Sequence, residues 1–353
     1  MQTSYAFIAS LALSLVLTPL VRRFALKVGA VARPNARSVH KVPIPHLGGV
    51  AIYLSSVIAM LISHPSDPIA ETAVIVGGFV ILVVGVLDDL YDLKPWQKGI
   101  GQILSAIVVI AIGVSISFLT NPFSGVMKVL GFLAIPLTIL WVVSFENLVN
   151  FSDGLDGLAG GIVAITGTVI IFAANKAGAF GIPPAAAAIV GAVLGFLPYN
   201  FHPASIFMGD AGAMYLGLAL SVLSVQGLVK SAVFMSVLAP LLALMVPISD
   251  TAFSIIRRTL NGQAFFYADH DHLHHRLLEL GLGQTKAVLS IYLVSALGGV
   301  LGLFSGFTPI QTGGPVVLVV VAALFIAASR AGLLTVSRKP GKGHADQSSG
   351  GQR

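Results

Sequence analysis

The sequence predicts an all-α polytopic membrane protein of about eleven transmembrane helices, with the N-terminus outside and the C-terminus in the cytoplasm. Three observations carry this. Of 353 residues, 56% are hydrophobic and only 10% are charged, where an average soluble domain carries about 25% charge. The apolar residues come in long continuous runs rather than alternating, which favours spanning helices over the strands of a barrel. The basic residues are shared unequally between the segments that join those runs.

The runs cover roughly residues 5–21, 47–63, 72–87, 100–118, 127–145, 159–174, 183–199, 211–227, 231–249, 286–305 and 314–330. A span needs about 20 apolar residues, so the 159–174 run is short, and the 231–249 run contains Pro240 and Pro247. The first run, Phe7 to Leu20, has no basic segment before it and no clear cleavage site after it, and reads as a retained helix. The 38 glycines suit close helix packing in lipid. Residues 1–330 read as one catalytic membrane domain, and the polar, Gly-rich 331–353 as a disordered tail.

Eleven spans put the termini on opposite sides. On the side of the C-terminus lie the segments 22–46, 88–99, 146–158, 200–210 and 250–285 and the tail, with 17 of the 20 Lys and Arg. Lys128, Lys176 and Lys230 fall on the other. The positive-inside rule makes the first side cytoplasmic. The net charge of +6 is therefore a topology signal, and no nucleic-acid partner is expected. All acids except Asp67 and Glu71, and all histidines except His64, share that side. Acids contribute little to orientation, so their bias points to a polar site built from several cytoplasmic loops. The absence of cysteine excludes disulfides and thiolate chemistry.

Four constellations could carry chemistry. In LDDLYDLKPWQKGIGQ, Asp88, Asp89 and Asp92 end an apolar run, with Lys98 and Gln102 following. Adjacent carboxylates at a membrane edge are costly unless a cation or proton compensates, so a divalent metal or a general base would give them work. In ENLVNFSDGLDGLAGG, Asn147, Asn150, Asp153 and Asp156 recur every three residues, so a helical turn could align them. In FHPASIFMGDAGAMYLG, Asp210 stands at the mouth of a Gly- and Ala-rich helix. It could be a helix cap or a metal ligand. Phe207 could stack on a base or fill the core. In FYADHDHLHHRLLELG, His270, His272, His274 and His275, with Asp269, Asp271 and Arg276 interleaved, could bind a transition metal, but Arg276 beside the histidines favours holding phosphate. The first loop, RPNARSVHKVPIPHLGG, adds Lys41 as a phosphate contact, and its prolines with Gly48 and Gly49 suggest an ordered turn. Together these imply a soluble phosphorylated substrate, magnesium and a lipid partner.

The segments LDDLYDLKP, NLVNFSDGLDGLAGG, IFMGDAG and DHDHLHHRLLELG, in this order, resemble those of the polyprenyl-phosphate N-acetylhexosamine-1-phosphate transferases, a glycosyltransferase family 4 group. The resemblance covers residues 5–330. It implies a bacterial plasma (inner) membrane enzyme whose cytoplasmic site transfers a sugar 1-phosphate from a UDP-sugar to undecaprenyl phosphate or a similar carrier, releasing UMP. It implies magnesium, with manganese as an alternative. It assigns catalytic roles to Asp88, Asp89, Asp92, His272, His274 and His275. Substrate contacts fall on Lys41, Lys98, Asn150, Asp153, Asp156, Phe207 and Arg276. The metal falls on Asp210 with Asp88 and Asp89. The DDLYDL run is closer to the branch that starts teichoic acid, O-antigen or enterobacterial common antigen chains than to the muramyl-pentapeptide branch, so UDP-N-acetylglucosamine is the expected donor.

The expected chemistry follows from charge. Asp88 or Asp89 would accept the proton of the lipid phosphate, whose oxygen then attacks the phosphate bearing the sugar. A covalent aspartyl-phosphate route stays open, as does a homodimer. The competing class is a transporter for an anionic solute, which would place ionisable residues mid-span and show internal repeats. Here the acids mark helix ends.

Overall fold

A computed structural model of the chain describes residues 1–32, 43–63, 67–120, 126–231, 235–260, 273–306, 308 and 310–330. Helix α1 (Gln2–Val28) leads to a short antiparallel pair, β1 (Val31–Ala32) with β2 (Ile44–Pro45). Helix α2 (Gly48–Ser63) follows. Then α3 (Pro68–Thr72), a π turn (Ala73–Gly77) and α4 (Gly78–Tyr91) form one rod. Helix α5 (Pro95–Ile112) is joined by a second pair, β3 (Phe118–Thr120) with β4 (Met127–Val129), to α6 (Ala134–Ser152). After α7 (Leu158–Lys176), α8 (Ile182–Asn200) and α9 (Gly209–Ser231) come α10 (Met235–Ala243), α11 (Met245–Leu260), α12 (Leu273–Glu279), α13 (Gln284–Ser305) and α14 (Ile310–Arg330).

Each expected apolar run lies at least in large part on helix, and among the described residues seven helices are long and apolar enough to cross a membrane. Two shorter apolar helices, Gly48–Ser63 and Thr312–Ala323, accompany them. This is an integral membrane protein. Several boundaries differ from the sequence reading for local reasons. The 100–118 run stops at Ile112, because Gly113 turns the chain with φ of 112°. The 127–145 run begins as strand β4, one partner of a two-stranded pair too short to span. The 231–249 run breaks at Leu244, where Pro247 has no N–H to return to Ala243. Helix α11 then continues to Leu260, and α12 also lies within the stretch expected to be loop.

Helix packing follows from side-chain size. In lipid the hydrophobic effect does not hold helices together, so close backbone approach and polar contacts must. The buried face of α1 is Ala6, Ser10, Ser14, Thr18 and Ala25. It meets Gly191 and Gly195 of α8, where an added Cβ would come within 2.3 Å of Phe7 O and 2.5 Å of Leu11 O. Large apolar residues on the other faces, such as Ile8, Phe24, Leu104 and Leu293, are exposed, as lipid contact requires. Helix α9 is the central post. Every residue from 211 to 227 is buried.

The first turn of α9 is gripped from two sides. A Cβ on Gly49 of α2 would lie 2.1 Å from Gly212 N, and one on Gly85 of α4 would lie 2.3 Å from Ala211 Cα. Main-chain bonds lace the preceding loop to α2, from Gly48 N to Phe207 O at 2.9 Å and Gly49 N to Met208 O at 2.8 Å. Of the loop expected to hold an ordered turn, residues 33–42 lie outside the described residues and the Gly48–Gly49 end is held in this way. The ends of α4, α6 and α8 and the starts of α2, α5, α7 and α9 thus gather at one end of the bundle.

Candidate active site

Asp88 and Asp89 occupy the last turn of α4, as the end of the apolar run suggested. Pro95 opens α5 because its missing N–H costs nothing at a first helical position. Gln97 Oε1 accepts from Lys94 N at 2.9 Å, closing the reciprocal cap. One turn in, Lys98 points back at α4. Its Nζ lies 3.1 Å from Asp88 Oδ2, pairs directly with Asp210 Oδ2, and lies 3.4 Å from Asn150 Oδ1. Asn150 Nδ2 donates to Asp210 Oδ1 at 2.9 Å. Three residues, from α4, α6 and α9, therefore converge on the one ammonium that α5 carries. Their separation in sequence is 122 residues at most, from Asp88 to Asp210.

Asp89 faces elsewhere. Its Oδ1 accepts from Asp210 N at 2.9 Å and its Oδ2 from Ala211 N at 3.3 Å. It therefore caps α9 from another helix, where a negative charge complements the dipole. Gly209 has φ of 70°, and a Cβ there would come within 2.2 Å of His46 O and 2.4 Å of Asp89 Oδ2. His46 Nε2 donates to Asp89 O at 2.6 Å. Asp89 is thus built into the mounting of Asp210, and these contacts favour a positioning role over the metal and base roles expected of it. His46, conspicuous in sequence only as part of a basic loop, belongs to the same mounting.

The three-residue spacing of the second constellation holds only for its first half. Asn147 and Asn150 lie on α6, facing α5, with Asn147 Nδ2 3.1 Å from Gln102 Oε1. The helix ends at Ser152, so Asp153 and Asp156 lie in the turn before α7 rather than on a continuing helical face. Asp156 turns away, accepting from His202 Nδ1 at 2.8 Å and Ala204 N at 3.2 Å. Asp153 is half-buried, and burial, then the nearby charges of Asp210 and Asp156, push its carboxyl up to about 7. Asp92 is exposed and caps the end of α4 in a left-handed conformation, φ 56°. Phe207 is half-buried, its main chain held by Pro45 and Gly48.

His274, His275 and Arg276 lie on α12. The start of that helix is held by α11, through Leu273 N donating to Asp250 Oδ1 at 2.7 Å. Asp250 was not singled out from sequence, because nothing local links it to a motif 23 residues on. Lys41, Asp269, His270, Asp271 and His272 lie outside the described residues.

Among the described residues no three carboxylates or histidines close on one point. Instead two carboxylates and one amide oxygen surround the Lys98 ammonium, which occupies a cation's place. An all-oxygen cradle with net negative charge fits magnesium, a hard ion that prefers few protein carboxylates and keeps its waters. Such a cluster, at the end of membrane-spanning helices, fits the class of membrane-bound enzymes that act on phosphate groups.

Sequence comparison places the chain within that class. Residues 72–228 match the model of glycosyl transferase family 4. The chain is 40% identical, over 95% of its length and 94% of the relative's, to a probable undecaprenyl-phosphate N-acetylglucosaminyl 1-phosphate transferase of Bacillus subtilis. It is 37% identical to a decaprenyl-phosphate N-acetylglucosaminephosphotransferase of Mycolicibacterium smegmatis, over 87% of this chain and 83% of the relative. It is 30% identical to a phospho-N-acetylmuramoyl-pentapeptide-transferase of Bacillus thuringiensis, over 85% and 95%. The chain belongs to glycosyl transferase family 4, among the polyprenyl-phosphate sugar-1-phosphate transferases.

Proposed function

We infer that the protein transfers N-acetylglucosamine 1-phosphate from UDP-N-acetylglucosamine to undecaprenyl phosphate or a similar polyprenyl phosphate, releasing UMP, as the first membrane step of a cell-envelope glycopolymer. The observation that carries this is the convergence of Asp88, Lys98, Asn150 and Asp210 at one end of the bundle, in a chain 40% identical to a relative named for this transfer. Greater identity to the N-acetylglucosaminyl relatives than to the muramoyl-pentapeptide relative supports the choice of sugar. The uneven basic charge supports eleven spans in the bacterial plasma membrane with this end cytoplasmic.

Asp210, with the amide oxygen of Asn150, would hold magnesium, or manganese in its place. The bound ion supplies charge neutralisation on the diphosphate and eases departure of UMP. Asp89 and Asn150 keep Asp210 at a fixed angle, so its carboxylate needs no reorganisation when substrate arrives. Lys98 offers its ammonium to the phosphoryl oxygens. Asp88 is the member of the acidic pair left to accept the proton of the lipid phosphate. The lipid phosphate oxygen bonds to the phosphorus bearing the sugar, and the bond to UMP breaks. His272, His274, His275, Arg276 and Lys41 supply further phosphate donors, and Asp153, Asp156 and Phe207 frame the nucleotide. The transition state needs mainly positioning and charge stabilisation.

The test is a purified-protein assay with undecaprenyl phosphate, magnesium and a panel of UDP-sugars. Release of UMP with UDP-N-acetylglucosamine is expected. Turnover only with UDP-N-acetylmuramyl-pentapeptide, or only with another UDP-2-acetamido sugar, would overturn the choice of sugar. No release with any donor would overturn the reaction.

A further inference from the structure

The functional reading leaves one buried acid unused. Glu146 lies on α6, one helical turn before Asn150, and is fully buried. The run LWVVSFENLVN places it among apolar residues, where a charge is expensive. The main chain of α9 presses on it, since a Cβ on Gly217 would lie 2.6 Å from Glu146 Cα. Its Oε1 is 2.7 Å from Ser105 Oγ of α5, and its Oε2 is buried without a hydrogen-bond partner among the described residues.

Proton counting makes this contact informative. Ser105 Oγ is also 2.7 Å from Gln102 O. A carbonyl oxygen can only accept, and the hydroxyl has one hydrogen. That hydrogen serves either Gln102 O, in which case the hydrogen between Ser105 and Glu146 comes from the carboxyl group, or Glu146 Oε1, in which case Glu146 is ionised. A neutral acid leaves only a carbonyl oxygen unpaired, whereas an ionised one would bury a charge without a cation.

This contact is the deepest of three rungs between α5 and α6. Above it Gln102 Oε1 accepts from Asn147 Nδ2 at 3.1 Å, and above that Lys98 Nζ meets Asn150 Oδ1. Helix α5 needs such rungs. Its other face, with Ile100, Ile103, Leu104 and Ile107, is exposed to lipid, and lipid gives no preference for one rotation of the helix over another. The polar contacts, together with the close packing of Gly101 on Val84 and of Val109 on Gly77, set that rotation, and the rotation aims Lys98 at Asp88 and Asp210.

We propose that Glu146 is a positioning residue, a proton-bearing acid whose bond to Ser105 anchors α5 so that Lys98 meets Asp88 and Asp210. The inference rests on the transferase reading only for its kinetic readout. The experiment compares E146Q and E146L in the full-length purified protein. E146Q keeps a neutral donor of the same shape, and E146L fills the space without one. Turnover is measured with UDP-N-acetylglucosamine, undecaprenyl phosphate and magnesium, beside melting temperature. Acylation of Lys98 by an amine-reactive ester is followed by mass spectrometry, with exposed Lys94 as the internal reference. E146Q should match wild type within about twofold in both readouts. E146L should lower kcat about tenfold or more, as misplacement of a catalytic group does, with KM for the nucleotide sugar within about threefold. It should raise the Lys98 acylation rate relative to Lys94 with at most a small fall in melting temperature, since Ser105 keeps its bond to Gln102 O and the apolar side chain fills the space. A role in folding alone predicts that activity and melting temperature fall together. The proposal is overturned if E146L leaves Lys98 acylation at the wild-type rate, or if E146Q behaves like E146L. Were wild type to release no UMP, the transferase reading would fail, and the acylation arm would still decide the role of Glu146.

Discussion

The carboxylate of Asp89 accepts the main-chain N–H of Asp210 at 2.9 Å, and so holds the residue whose side chain answers Lys98. The two acids lie in different helices, yet one fixes the backbone on which the other acts. Asp89→Ala should therefore cost about 1–3 kcal/mol of stability by leaving buried N–H groups unpaired. Asp89→Asn, which keeps an acceptor oxygen, should cost less. Both should reduce turnover in proportion to the stability lost, read by thermal melts beside UMP release. Full stability with abolished turnover in Asp89→Ala would instead assign it a direct catalytic role.

Asp88 and Asp210 should separate by metal dependence. Asp210→Asn should raise the magnesium needed for half activity. Asp88→Asn should lower turnover, on the order of 100-fold for a lost general base, with the magnesium requirement little changed. Higher pH should partly restore Asp88→Asn, because it deprotonates the lipid phosphate without help. Magnesium titrations and pH–rate profiles on the two variants check this, and an unchanged magnesium response in Asp210→Asn would remove its assigned role.

Asp153 gives a pH signature in magnesium-free protein. Its carboxyl sits near 7 against an ordinary value of 3.8. The folded state thus prefers the protonated form, and its contribution to stability is full below about pH 4 and lost as pH rises through 7. Asp153→Asn should match wild type in melting temperature at or below pH 4 and exceed it at pH 8. A difference of about 1 kcal/mol would appear as roughly 1–2 °C in a chain of this length. Equal melting temperatures at pH 8 would show that the carboxyl is not raised.

Topology is testable because the chain has no cysteine of its own. Phe180 and Glu279 are exposed residues at opposite ends of the bundle. Phe180→Cys should label with an impermeant maleimide in intact cells, and Glu279→Cys should label only after permeabilisation. External labelling at 279 would reverse the orientation.

The sequence by itself determined the class of this protein and most of its helices, because continuous apolar runs and charge at their ends are properties of composition and order that lipid enforces locally. It also marked Asp88, Lys98, Asn150 and Asp210 as polar residues at helix ends, and the four meet. Which acid does what was decided only in three dimensions. Asp88 and Asp89 are neighbours in the chain, but the helical turn between them sends one to Lys98 and the other to the start of α9. Asp156 shares a motif with Asp153 and leaves it for His202, because α6 ends at Ser152 and the periodicity ends with it. Glu146, Asp250 and His46 gain their partners from other helices, so no local pattern announces them. An acid inside an apolar run was the one signal available for Glu146. The partner that explains it, Ser105, lies 41 residues away, and only the packing of α5 against α6 brings the two within 2.7 Å.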